Sequence, residues 1–213
     1  MNLDSLFYPK SVAVIGASAK FGGGKIPYYH ILKTGGYEGD LYPVNPKYDE
    51  IDGVKFYQSI NDLPEGIDLA IVTAPFKESL EIMKSAARKK IKFIHFFTAG
   101  FSETGNKDLE DGLLNVARKN GIRIVGPNCI GIYCFESRVS FGFTVQENSS
   151  MNTGFFGQSG GVTSNFVRAA ISNRLGLNKV VSYGNQIDIG AEDYLEYFAK
   201  DEKIKITIYF VTV

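Results

Sequence analysis

Apolar residues come in short, dense runs separated by amphipathic stretches, and this alternation predicts strands and helices in strict turn. Ser11-Val-Ala-Val-Ile15 holds small and β-branched residues with no polar alternation, the pattern of a strand covered on both faces, and Gly16 ends it in a turn that feeds a helix. Residues 26–32 have helical spacing, with Pro27 tolerable only in a first turn, and Gly35-Gly36 stops them. Residues 39–44 form the next strand, residues 51–64 a connecting segment, and residues 67–74 a third strand closed by Pro75. A helix follows over 77–90 with Leu80, Met83, Ala86 and Ala87 on one face, then a strand over 91–97, a helix over 108–119 and a strand over 121–125. The aromatic lead-in Leu6-Phe-Tyr8 is expected to cover the bottom of the first strand. Strands alternating with helices of this length make an α/β protein with a parallel, doubly wound sheet.

The pattern breaks over residues 126–150 into glycine, aromatic and polar positions, which reads as an ordered connector between domains. A second unit then begins. Residues 153–156 are a strand, 157–161 a glycine loop, 162–175 a helix with Phe166, Val167 and Ala170 inward, and 178–183 a strand. A helix over 191–200 with Tyr194, Leu195 and Phe198 inward precedes a last strand over 204–213. The expected organisation is therefore 1–125, a connector 126–150, and 151–213, the last being about half of a doubly wound domain.

Doubly wound sheets bind ligands at the carboxyl ends of their strands. Those ends hold Gly16, Ala17, Ser18, Ala19 and Lys20; Val44, Asn45 and Lys47; Thr73 and Pro75; Phe97, Thr98 and Ala99; and Asn128, which are expected to converge on one crevice. The first loop, running on into Gly22-Gly-Gly24, has the strand, turn and helix start that present N–H groups to a phosphate. It is not the dinucleotide fingerprint, because positions 16, 18 and 21 hold Gly, Ser and Phe. Where an NAD site wants an acid after the second strand, this chain has Lys47, which suits a ribose phosphate as in coenzyme A or NADP.

Composition narrows the partners. Lys plus Arg and Asp plus Glu are 23 each, so no overall field favours nucleic acid or an anionic membrane. With no basic leader and no apolar run of ~18 residues, a soluble cytoplasmic protein without membrane contact is expected. Cys129 and Cys134 fit neither a zinc site nor a disulfide framework and read as packed thiols, with no metal expected; His30 and His95 read as structural. Gly157-Gln-Ser-Gly-Gly161 matches the G-x-S-x-G elbow literally, but no histidine follows residue 95 to complete a triad.

Four ordered motifs carry a resemblance that spans the chain: Leu6-Phe-Tyr-Pro-Lys-Ser-Val-Ala-Val-Ile-Gly-Ala-Ser18, Gly39-Asp-Leu-Tyr-Pro-Val-Asn-Pro-Lys47, Gly126-Pro-Asn-Cys-Ile-Gly131 and Gln158-Ser-Gly-Gly161. Together they resemble the α subunit or α region of NDP-forming acyl-CoA synthetases, the ADP-forming acetate–CoA ligases and the related succinyl-CoA synthetases. The resemblance implies an N-terminal Rossmann-like CoA-binding domain followed by the first half of a flavodoxin-like domain. It implies phosphate contacts from residues 16–20, a nucleotide contact from Lys47, and a pantetheine arm along Phe97, Thr98 and Ala99 with Asn128 nearby. It also implies that Ser159, Gly160 and Gly161 hold the phosphate of acyl phosphate and phosphohistidine intermediates, with Ser164 near the substrate. The reaction implied is acid plus CoA plus ATP to acyl-CoA, ADP and phosphate, with a small carboxylic acid as substrate.

Two departures shape the expectation. The family's phosphorylated histidine lies past Val213, and neither His30 nor His95 matches it; Val211 stands where the family has the acid that orients it. The ATP-grasp domain, which in the family handles ATP, ADP and magnesium, is not among these residues and is expected on a β subunit or another domain. The chain therefore reads as a truncated α region that binds CoA without turning over, with a non-catalytic CoA-binding module or regulatory subunit as the alternative and an NADP-linked enzyme as a weaker one. A free edge on the closing strand predicts self-association into a homo-oligomer.

Overall fold

The parallel core forms where the unbroken apolar runs lie. The computed structural model of the protein describes residues 2–18, 26–51, 53–143 and 150–211. Helix α1 (Asp4–Phe7) leads into β1 (Ser11–Ile15), α2 (Tyr28–Thr34), β2 (Asp40–Val44) and a small hairpin, β3 (Glu50–Ile51) with β4 (Val54–Lys55). Then come β5 (Leu69–Val72), α3 (Ser79–Arg88), β6 (Phe93–Phe96), α4 (Lys107–Asn120) and β7 (Arg123–Val125). The strands pair as β2-β1-β5-β6-β7, each pair parallel, and β5 and β6 are buried at every residue. Pro43, which has no N–H to give, sits on the edge strand β2.

The second sheet contains β8 (Gly131–Cys134), β9 (Thr153–Gly157), β10 (Leu177–Ser182) and β11 (Ile206–Phe210), in the order β11-β9-β10-β8. Helix α5 (Gly160–Ser172) joins β9 to β10, and α6 (Ala191–Lys200) joins β10 to β11. β8 lies inside the segment that the pattern reads as a connector and pairs antiparallel with β10. Four buried residues between glycine and turn positions carry too little periodicity to announce a strand; only the β10 partner makes them one.

Two helices keep part of the expected face and differ at its margins. α3 begins at Ser79, after a 3-10 turn at Phe76–Glu78, and buries Ser79, Ile82, Met83 and Ala86, while Leu80 and Ala87 are only partly covered. α6 buries Tyr194 and Phe198, an i, i+4 pair, and leaves Leu195 48% exposed.

The two sheets are tied by charge and by aromatic packing. Phe7 reaches past β1 to stack on Tyr197 of α6 at 5.0 Å, so the lead-in is mortar between the units. The Lys179 ammonium is fully buried and donates to Asp201 Oδ2 at 2.6 Å, the Tyr8 hydroxyl at 2.8 Å and Asn178 Oδ1 at 2.8 Å, with Glu136 Oε2 at 3.4 Å. Tyr8 in turn donates to Glu136. Burial alone would raise the Glu136 carboxyl, but Lys203, Tyr8 and Lys179 outweigh it and hold it down at about 2. Arg123 pairs with Asp188 through Nε at 2.7 Å and Nη2 at 3.2 Å, and Asp188 also accepts the Ile124 amide at 2.9 Å.

Candidate functional site

The ends of β1, β5 and β6 are laced together by threonines. Thr73 Oγ1 donates to the carbonyls of Ile15 and Gly16, both at 3.1 Å, and Thr98 Oγ1 donates to the Ala74 carbonyl at 2.6 Å. Gly16 turns the chain with φ +83°, and a Cβ there would come within 3.0 Å of the Ala74 nitrogen and of Thr73 Oγ1, so the turn requires glycine. The amides of Gly16 and Ala17 both donate to the Val44 carbonyl, at 2.9 and 3.2 Å, and Asn45 Nδ2 donates to the Ala17 carbonyl at 2.7 Å. These bonds fix the turn at Gly16 and Ala17 against the end of β2. Ser18 lines a small recess with Ala17, Tyr28 and Thr73; Ala19 and Lys20 lie outside the described residues.

Two cavities open along these strand ends. The outer one, about 560 Å³, is lined by Gly16, Val44, Asn45, Lys47, Thr73 and Pro75. The inner one, about 630 Å³, is lined by Phe97, Thr98, Ala99 and Asn128 on one side and by Gly160, Gly161 and Ser164 on the other. Thr73, Ala74 and Pro75 border both, so the two cavities adjoin along a trough whose outer part reaches Lys47 and whose inner part reaches the start of α5.

That end wall is built by the Gln158-Ser-Gly-Gly161 loop. Ser159 caps α5, its Oγ accepting the Val162 amide at 3.3 Å, and buried Thr163 braces the turn by donating from Oγ1 to the Ser159 carbonyl at 2.8 Å. The unpaired amides of a helix start therefore sit at the inner end of the trough, a setting that favours a phosphate. Ile130 packs beside them, 3.3 Å from where a Gly160 Cβ would stand.

The structure thus gathers the strand-end positions from Gly16, Val44–Lys47, Thr73–Pro75, Phe97–Ala99 and Asn128 with Gly160, Gly161 and Ser164. Cys129 and Ile130, inside the Gly126–Gly131 motif but not singled out there as site residues, also line the trough, as does Lys77, which no motif marks. Burial pushes the Cys129 thiol up, so it is protonated and not a nucleophile. Neither histidine lines the trough. His30 is exposed on α2. His95 is enclosed in β6, with Nε2 3.0 Å from the Cys129 carbonyl and its ring edge-on to Tyr28; burial holds it down at about 4, against the pull of that carbonyl, so it is neutral near pH 7. Among the described residues no helix is long and apolar enough to cross a membrane.

Comparison with known proteins finds two families along the chain. Residues 10–134 match the CoA binding domain family and residues 150–212 the Succinyl-CoA ligase like flavodoxin domain. The chain is 38% identical to the ADP-forming acetate–CoA ligase of Methanocaldococcus jannaschii, over 98% of this chain and 29% of that protein. It is 37% identical to the α subunit of ADP-forming acetate–CoA ligase I of Pyrococcus furiosus, over 99% of this chain and 47% of that subunit. The solved dinucleotide-forming acetyl-coenzyme A synthetase 1 of Ca. Korarchaeum cryptofilum, in complex with phosphate and ADP, superposes with a TM-score of 0.91 at 31% identity, over 100% of this chain and 46% of that one. The chain thus spans between about a third and about half of the length of these relatives.

Proposed function

The chain belongs to the family of α regions of ADP-forming acyl-CoA synthetases, a CoA binding domain followed by a succinyl-CoA-ligase-like flavodoxin domain, and from that premise we propose that its trough is the coenzyme A and phosphate site of an acid–CoA ligase. In this reading residues 1–125 carry the CoA-binding unit, 126–150 join it to the ligase unit, and 151–213 supply the phosphate loop. The observation that carries the reading is the adjacency of the two cavities across Thr73, Ala74 and Pro75, with a lysine at the outer one and the start of α5 at the inner one.

The residues present fit the ligand. Lys47 offers the point charge that a ribose phosphate requires, and the glycine turn at Gly16 lets the ligand approach the backbone. Phe97, Thr98 and Ala99 give a narrow, largely apolar floor suited to a pantetheine arm, and Asn128 stands where that arm would end. When bound, coenzyme A supplies the thiol that takes up an acyl group. The chain's own contribution at that end is electrostatic: the Ser159–Gly161 amides stabilise a phosphate dianion without a counter-charge that could itself react. With both histidines outside the trough, a phosphate-carrying histidine and the handling of ATP and magnesium are assigned to polypeptide other than these residues, an ATP-grasp β subunit or domain. A small carboxylic acid is the second substrate of the complete enzyme. That placement of the histidines also favours the second reading, a CoA-binding module that is not itself catalytic.

The test is a set of parallel calorimetric titrations of the chain with coenzyme A, dephospho-coenzyme A and NADP. Coenzyme A is expected to bind, and Lys47→Ala to weaken it by roughly fivefold, the worth of about 1 kcal/mol for an exposed charged contact, while leaving dephospho-coenzyme A unaffected. Binding of NADP but not of coenzyme A would overturn the proposal. Coenzyme A turnover by the chain alone with ATP and a carboxylic acid would overturn the non-catalytic reading.

A further inference from the structure

The loop between β10 and α6 touches both ends of the inner cavity. The Tyr183 amide donates to the Gly157 carbonyl at 3.1 Å and the Gly184 amide to the Gln158 carbonyl at 3.1 Å, on the phosphate-loop side. On the other side the Asn185 amide donates to the Pro127 carbonyl at 2.9 Å and the Ile187 amide to the Gly126 carbonyl at 3.2 Å. Gly184 has φ +55°, and a Cβ there would stand 2.1 Å from the Pro127 oxygen and 2.5 Å from the Asn128 oxygen, so backbone lies directly on backbone.

The Asn185 side chain extends this bridge. Its Nδ2 donates to Glu103 Oε2 at 2.6 Å and to Glu110 Oε2 at 2.9 Å, with Ser102 Oγ at 3.3 Å. Both carboxylates are themselves anchored. Glu103 Oε1 accepts the amides of Gly100 and Phe101 at 2.6 and 3.2 Å, and Glu110, which is 8% exposed, accepts the Ser102 hydroxyl at 2.8 Å. Burial opposes ionisation of Glu103, but the Gly100 amide and Asn185 outweigh it and keep its carboxyl below the usual range. An amide nitrogen has two hydrogens, and two anchored carboxylates claim both. The Asn185 oxygen is thereby turned toward Asn128, whose Nδ2 lies 3.5 Å away, and Asn128 is left with its carbonyl oxygen for the trough it lines.

We propose that Asn185 is a positioning residue for this site: held by Glu103 and Glu110, it orients the Asn128 amide, and through the Gly184 peptide it keeps the phosphate loop in register with the strand-end loop at residues 126–128. The proposal rests on reading the trough as a coenzyme A and phosphate site.

The experiment compares the full chain, labelled with ¹⁵N, with Asn185→Ala and with Asn185→Asp, which keeps the size of the side chain but turns a carboxylate on Glu103 and Glu110. In both variants the side-chain amide of Asn128 and the backbone amides of Ser159, Gly160 and Gly161 are expected to shift, while that of Arg168 on the outer face of α5 stays in place. Coenzyme A affinity, read by calorimetry, is expected to fall about tenfold. Should Asn185→Ala fail to fold, the near-isosteric variant decides. Unmoved Asn128 and phosphate-loop amides in a folded variant, or wild-type affinity in both variants, would overturn the proposal. An unsubstituted chain that takes up no coenzyme A would instead sink the reading of the trough, and the positioning role would then stand or fall on the amide shifts.

Discussion

Single residues divide here into those whose environment is local and those whose environment is assembled. His95 is of the first kind: it sits in the middle of Ile91-Lys-Phe-Ile-His-Phe-Phe97, a run that any sheet would bury, and its structural role was legible from that run. Its consequence is a pH dependence. The imidazole is held at about 4 in the folded chain against an ordinary 6.5, so between those values the unfolded chain binds the proton and the folded chain does not. Stability is expected to fall as pH drops from about 6.5 to about 4. The Glu136 carboxyl, held at about 2 against 4.5, continues the loss: its stabilisation is complete above about pH 4.5 and vanishes as pH falls through 2. Urea unfolding across this range should show a shallower decline between pH 6.5 and 4 for His95→Gln, which keeps a donor for the Cys129 carbonyl; an unchanged slope would remove His95 from the account. Asn185 is of the second kind. In sequence it is the second residue of an ordinary Gly-Asn turn, and its partners Glu103, Glu110 and Asn128 stand 82, 75 and 57 positions away.

Elements were legible in type and less so in phase. The end of β1 at Gly16 and the start of α5 at Gly160-Gly161 announce themselves because a strand-to-helix turn of this kind requires residues without bulk. For α5 the capping serine carries a measurable consequence. Ser159→Ala removes the acceptor for the Val162 amide and is expected to cost about 1 kcal/mol, visible as a drop of roughly 2–4 °C in the melting temperature. It should also weaken uptake of inorganic phosphate, followed by the shifts of the Gly160 and Gly161 amides; a variant that melts lower but binds phosphate equally would confine Ser159 to a structural part. The faces of α3 and α6 follow the pattern at Met83 and Ala86 and at Tyr194 and Phe198 and depart from it at the margins. With 100° per residue, Ile82 flanks the Met83–Ala86 line on the side that meets the core while Leu80 and Ala87 fall at its rim, and α6 turns Tyr194 and Phe198 to the core and Leu195 outward. Gly154 of β9 is what admits Phe198, since a Cβ there would lie 2.7 Å from its ring.

At the scale of the whole molecule, the exposed large apolar residues fall in the last part of the described chain. Leu195, Ile206, Tyr209 and Val211, at 46–63% exposure, are the large hydrophobic residues of the described chain left open, and all belong to α6, β11 or the residue after it. Among the described residues β11 pairs with β9 on one side only and is the edge of its sheet. An open edge flanked by apolar side chains is a template for another strand. The isolated chain is therefore expected to self-associate at micromolar concentrations, and Tyr209→Lys, which charges the most exposed of these positions, to reduce it. Sedimentation velocity over a concentration series reads the outcome directly; a monomer throughout for the unsubstituted chain would refute it.

Periodicity and glycine placement by themselves determined that the chain is α/β, that its first sheet is parallel and that the carboxyl ends of its strands gather on one side, because those features depend on residues close in sequence and on the right-handed βαβ rule. The four motifs determined the family in the same way. Tertiary structure alone decided that Gly131–Cys134 is a strand, that the strand-end crevice runs on to meet the start of α5, and that Asn185 ties the two together. Each of these is a contact between segments distant in the chain, where the energy of pairing and burial acts only after the backbone has closed the loop between them, and no local pattern records which segments will meet.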